Sequence, residues 1–128
     1  MPVNVKVINA KEFIRTTVSG ALDFAESQRA ILDIASQIKQ PGEYEVLIDI
    51  RGAETILSIA DLYELAVALT GQSSLIDSKI GLLVPMTMND VDQAHFFETV
   101  AQNRGARIRV FTDFEEAITW LILREQTL

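Results

Sequence analysis

The chain contains no cysteine. Disulfide frameworks, thiolate nucleophiles and cysteine-rich zinc sites are thereby excluded, and the lack fits a reducing cytosol. Histidine occurs once, at His95. A zinc site wants three or four ligands; His95 has only Glu98 one helical turn away, so a structural role is expected and no metal. No apolar run approaches the ~18 residues of a membrane-crossing helix. The opening MPVNVKVINA lacks a charged stretch leading into an apolar core, so no signal peptide is read there. Positive charge is scarce. Eleven Lys and Arg stand against 18 Asp and Glu, a net charge of −7, with a pI near 4.6. Such a chain is repelled by phosphate backbones and anionic headgroups, so nucleic acid and bilayer surfaces are poor partners. Arg104, Arg107 and Arg109 form the one basic concentration, read as a solvated edge at a strand start.

Catalytic motifs are also missing. No Gly-x-Ser-x-Gly elbow supports a triad built from His95 with Ser58 or Ser73. Gly71-Gln72-Ser73-Ser74 lacks the Gly-Lys-Ser/Thr of a phosphate loop. The acidic pairs Asp90/Asp92 and Glu115/Glu116 fall in first helical turns, where carboxylates favour the helix dipole. The expectation is a protein that is not an enzyme and needs no cofactor.

What is present reads as one α/β domain over residues 1–128. A chain of 128 residues with 48% hydrophobic content is globular, and at this length roughly two thirds of the unfolded surface is buried on folding. Val3, Val5 and Val7 alternate with polar residues as a half-buried strand does. Asn9-Ala10-Lys11 turns the chain, and Phe13 to Val18 reads as a second strand in a hairpin with the first. Ser19-Gly20 breaks it. Asp23 caps a helix with Glu26 three residues on; Phe24, Ile31, Ile34, Ala35 and Ile38 follow at helical spacing, and Gln40-Pro41-Gly42 ends it. Tyr44 to Ile50 is the third strand. Ser58 and Asp61 have capping-box spacing before the apolar face Ile59, Leu62, Leu65, Ala66 and Leu69, closed by Gly71. Ile80 to Val84 is the fourth strand, stopped by Pro85. Asn89 or Asp90 caps the next helix, which carries Ala94, Phe97, Val100 and Ala101 and ends at Arg104 and Gly105. Ile108 to Phe111 is the fifth strand, and Thr112, three residues before Glu115, introduces the last helix, with Trp120 beside its apolar stripe at a domain edge. The order β-β-α-β-α-β-α-β-α implies a five-stranded, mainly parallel sheet joined by right-handed crossovers, with helices mainly on one face. Val46-Leu47-Ile48 and Leu82-Leu83-Val84 are apolar at successive positions, as in strands buried on both faces. The second face then needs a cover from another part of the chain, a second copy or a ligand, and a second copy, as a dimer, is favoured for it.

Particular segments in that order resemble the STAS superfamily (sulfate transporter and anti-sigma-factor antagonist), and more closely its SpoIIAA-like branch of small stand-alone bacterial proteins. They are Leu47-Ile48-Asp49-Ile50-Arg51-Gly52, Asp61-Leu62, Phe96 through Gly105, Val110-Phe111-Thr112-Asp113, and Ala117 with Trp120-Leu121. The resemblance spans nearly the whole chain. It implies a β/α superhelix and a regulatory or protein-interaction module rather than chemistry. In the anti-sigma antagonists a serine in an Asp-Ser-Ser-Gly motif, at the start of the helix after the third strand, is phosphorylated to break a protein complex. This chain has Arg51-Gly52-Ala53-Glu54-Thr55-Ile56-Leu57-Ser58 there, and Ser58 is nearest in role.

Ser58 is therefore the candidate for phosphorylation or a partner switch, set against a plain helix cap. Ligands of parallel sheets gather at the carboxyl ends of the strands. Arg51 lies there, either holding an anion or pairing with Asp49 or Glu54. Met86, Thr87 and Met88 lie at the same edge, lining an adaptable ligand or partner site or filling the core. The alternative function is a carrier or sensor of a small apolar or amphipathic, lipid-like ligand lodged against the second sheet face. Either function is expected in the cytoplasm.

Overall fold

The structure is a computed structural model, and residues 4–10, 13–38 and 45–122 are described. The elements are β1 (Asn4–Ala10), β2 (Phe13–Leu22), α1 (Phe24–Gln37), β3 (Glu45–Thr55), α2 (Ile59–Thr70), α3 (Ser73–Ile76), β4 (Lys79–Leu83), α4 (Met88–Asn103), β5 (Arg107–Phe111) and α5 (Phe114–Ile122). One five-stranded sheet runs β1-β2-β3-β4-β5. β1 is antiparallel to β2 and every later pair is parallel, the architecture that alternating strands and helices predict. The Gln40-Pro41-Gly42 stop, Lys11 and Tyr44 lie outside the described residues.

Three strands are longer than their sequence punctuation implies. β3 runs past the expected end at Ile50 to Thr55, paired with β2, so Arg51 lies within the strand rather than after it. Ser19-Gly20 does not end β2. The β2–β3 register shifts between Thr17 and Ser19 and then resumes through Leu22 and Thr55. Gly20 adopts φ +96° there, which costs a residue without a Cβ little. At the hairpin, Asn9 and Ala10, read from the sequence as part of the turn, remain in the ladder opposite Ile14 and Phe13.

Side-chain alternation along β3 and β4 divides the core between the two sheet faces. Ile14, Val46, Ile48, Ile80, Leu82 and Ile108 meet the buried stripes of α1, α2 and α4 on one side. On the other, Leu47, Leu83 and Phe111 meet Ala117 and Leu121 of α5. Helices thus lie mainly on one face, but the second face is not bare. Leu47, Leu83 and Leu121 are fully buried, so the cover that the doubly apolar strands demand comes from this chain's last helix, and a second copy is not needed for it. Gly81 makes the fit possible. A Cβ there would lie 3.3 Å from Leu121 Cδ1 and 3.6 Å from Leu47 Cδ1, so the missing side chain lets α5 approach the sheet.

The helix caps follow short-range chemistry. Asp23 accepts from the Glu26 amide, and Gly105 closes α4 at φ +99°, with Ala106 N donating to Ala101 O. The start of α4 differs from the sequence expectation. Thr87, not Asn89 or Asp90, is the cap, accepting from Asp90 N. Asp90 sits at the third helical position, where its carboxylate meets both that hydroxyl and the amide-rich helix end. Likewise Asp113, not Thr112, caps α5 by accepting from Glu116 N at 3.1 Å.

Candidate functional site

Parallel packing brings the carboxyl ends of β3 and β4 and the amino ends of α2 and α4 to one edge. Ser58 caps α2 in a complete capping box: its Oγ accepts from Asp61 N at 3.1 Å, and its own N–H donates to Asp61 Oδ2 at 3.0 Å. Ser58 is exposed. A phosphate added there would meet the free N–H groups of the first turn and, in the same box, the Asp61 carboxylate.

Thr87 caps α4, and Met86 and Met88 on either side of it are each 81% exposed. Neither methionine fills the core. Ile56 and Ile59 flank Ser58 and are exposed as well. These four make up most of the large exposed hydrophobic side chains among the described residues, the others being Leu32, Tyr63 and Ile122.

Cross-links hold the two helix starts together. Thr55 Oγ1 donates to Asp90 Oδ1 at 3.3 Å, Thr87 Oγ1 donates to the other oxygen of that carboxylate, and Gln93 Nε2 donates to Leu57 O at 3.5 Å. Asp90 and Gln93 were not singled out from the sequence as site residues. Their partners lie some 35 positions away, and only a capping signal was legible at Asp90. Beneath the edge, between the sheet and α1, α2 and α4, lies an apolar cavity of about 110 Å³.

Arg51 belongs to a different cluster. It follows Asp49 by two along β3, so both lie on the α5 face of the sheet. Its Nε donates to Asp49 Oδ1 at 3.0 Å and its terminal nitrogen to Oδ2 at 2.9 Å. Arg15, from β2, stands 3.8 Å from the same carboxylate. The two guanidinium carbons lie 5.9 Å and 4.9 Å from the centre of the Phe114 ring, a cation–π arrangement at the start of α5. Burial pushes the Asp49 carboxyl upward, but the Arg51 hydrogen bonds and the charges of Arg51 and Arg15 outweigh it and hold it below the ordinary carboxylate range. The Asp49 hydrogen bond in turn raises Arg51.

The remaining charged candidates find local partners. His95 Nδ1 lies 3.2 Å from Glu98 Oε1, and Glu98 Oε2 accepts from Val110 N at 2.7 Å, pinning α4 to β5. No group of three or more metal-binding side chains occurs among the described residues. Arg104 donates to Thr70 Oγ1 and Arg107 to Asp77 O, while Arg109 lies over Phe111. Trp120 packs against Phe111 with ring centres 5.6 Å apart. No described helix is long and apolar enough to cross a membrane.

No family profile and no curated protein matches the sequence. Solved structures do match in three dimensions. An uncharacterised DUF3478-family protein with a SpoIIAA-like fold from Shewanella loihica PV-4 superposes with a TM-score of 0.56 at 17% identity, covering 93% of each chain. An anti-sigma factor antagonist from Mycobacterium paratuberculosis gives 0.58 at 15% identity and 94% of each chain. The anti-sigma factor antagonist SpoIIAA in its unphosphorylated form gives 0.53 at 16% identity, covering 93% of this chain and 96% of its own. The fold of this chain is therefore SpoIIAA-like.

Proposed function

We propose that this chain is a non-enzymatic regulatory module that docks a partner protein through the carboxyl edge of β3 and β4, with Ser58 as the position where added charge alters docking. The observation that carries this reading is the concentration of exposed apolar side chains there. Ile56, Ile59, Met86 and Met88 flank two helix starts cross-linked through Asp90 and Gln93. Exposed apolar clusters on soluble proteins mark interaction sites, and methionines adapt to a partner's contours. The likeness to anti-sigma factor antagonists supports a protein as the partner. A different protein is preferred to a second copy because α5 already buries the second sheet face. A cysteine-free chain suits the reducing cytoplasm.

The test is capture of partners from the source cell with tagged wild type and three variants. Wild type and Ser58→Ala should retain the same specific protein. Met86→Ser/Met88→Ser should lose it and Ser58→Asp should weaken it, with all four chains folded by circular dichroism. Equal retention by all four would refute the docking edge.

A further inference from the structure

We infer that the cavity between the sheet and α1, α2 and α4 is a binding site for a small neutral molecule, an apolar ring or short alkyl group bearing one hydroxyl. Protein interiors are close-packed, with few voids larger than a water molecule. This one is a half-open pocket of about 110 Å³, walled by side chains such as Ile48, Leu62, Leu65, Leu82 and Phe97. An enclosed apolar cavity of about 150 Å³ accepts a benzene-sized guest, and this pocket is of the same order.

A polar atom fixes the chemistry of the guest. Ser27 of α1 lines the cavity, and its Oγ is buried without a hydrogen-bond partner. A buried hydroxyl left unmatched is destabilising. The other polar side chains around the cavity are Thr55, Asp90 and Gln93, and each is engaged: Thr55 with Asp90, and Gln93 with the Leu57 carbonyl. Ser27 is thus the uncommitted donor and acceptor. A resident water needs about two to four polar partners, more than Ser27 supplies, whereas a guest hydroxyl needs only this one while its apolar body fills the remaining space. The Asp90 carboxylate on the same wall repels an anionic headgroup, which excludes carboxylates and phosphates and leaves a neutral hydroxyl. The site lies on the face covered by α1, α2 and α4, not on the second sheet face. It does not depend on the docking edge.

Phenol is the probe, with benzene and benzoate as controls, in amide NMR titrations and thermal unfolding of the intact chain. Phenol should saturably shift the amides of Ser27, Leu62 and Phe97 and raise the melting temperature, benzene should bind more weakly, and benzoate should not bind. Ser27→Ala keeps the fold, because it removes an unmatched group. It should bind benzene as wild type does and lose roughly fivefold in phenol affinity, the worth of one neutral hydrogen bond. Ala94→Leu, which fills the cavity, should abolish both. Phenol that leaves the cavity amides unmoved up to its solubility limit, that binds Ser27→Ala as tightly as wild type, or that is matched by benzoate would overturn the proposal. Should Ala94→Leu fail to fold, the Ser27→Ala comparison still decides it.

Discussion

Asp49 shows how a single residue combines burial with charge. It is only 4% exposed, beside the apolar packing of α5, and it survives there because Arg51 grips both carboxylate oxygens. Its pKa is lowered in the folded state, so the ionised form binds the native structure better than the unfolded chain. The resulting stability is fully present above about pH 4–5 and is lost as pH falls through the lowered value. Asp49→Asn should therefore cost about 1–3 kcal/mol at neutral pH. It should also flatten the acid limb, so that urea midpoints of variant and wild type converge as pH falls through the lowered Asp49 value. A gap that stays constant down the whole acid limb would show that the charge is not what Asp49 contributes. Ser58 poses the complementary case. Its hydroxyl satisfies one amide of α2, so Ser58→Ala should cost about 1 kcal/mol, while Ser58→Asp, which also caps, should be near neutral in the same urea titration. That separation is what allows Ser58→Asp to test docking without unfolding the protein.

At the scale of elements, α5 is the piece whose role the one-dimensional pattern understated. The alternating strands and helices, the Asp23 and Ser58 caps and the Gly105 stop were legible because each rests on contacts within a few residues. The doubly apolar runs in β3 and β4 correctly signalled two buried faces. They carried no information on which element supplies the second cover, since Ala117, Ile118 and Leu121 form an ordinary helical stripe whichever face they meet. The candidate site divides the same way. Ser58, Thr87 and the methionines could be placed at one edge from strand ends alone. The bridges through Asp90 and Gln93, the Phe114 cation–π cluster and the Ser27 cavity depend on residues brought together across the fold. The α5 packing can be tested at Gly81. Valine there would drive its side chain into Leu121 and Leu47, so Gly81→Val should destabilise by about 1–3 kcal/mol, the usual cost of overpacking. A neutral result by chemical denaturation would mean that α5 does not sit against β4 as described.

For the whole molecule, the covered second face changes what association state to expect. An exposed apolar sheet would have driven pairing of two copies, but Leu47, Leu83 and Phe111 are already beneath α5. At the β5 edge, Arg107 and Arg109 are exposed, and charged side chains on an edge strand oppose strand-to-strand addition. The net charge of −7 adds long-range repulsion between copies. Against these stand Ile56, Ile59, Met86 and Met88 at one edge, too few to hold a stable dimer unless they meet a complementary surface. The intact chain should therefore run as a monomer in light scattering at micromolar concentration and physiological salt. Raising the salt screens the repulsion, with a Debye length falling to about 3 Å at 1 M. Any association that then appears should disappear in Met86→Ser/Met88→Ser, because the docking edge carries most of the large exposed apolar side chains among the described residues. A dimer that persists in that double variant would place the contact elsewhere and reopen the case for a second copy as the partner.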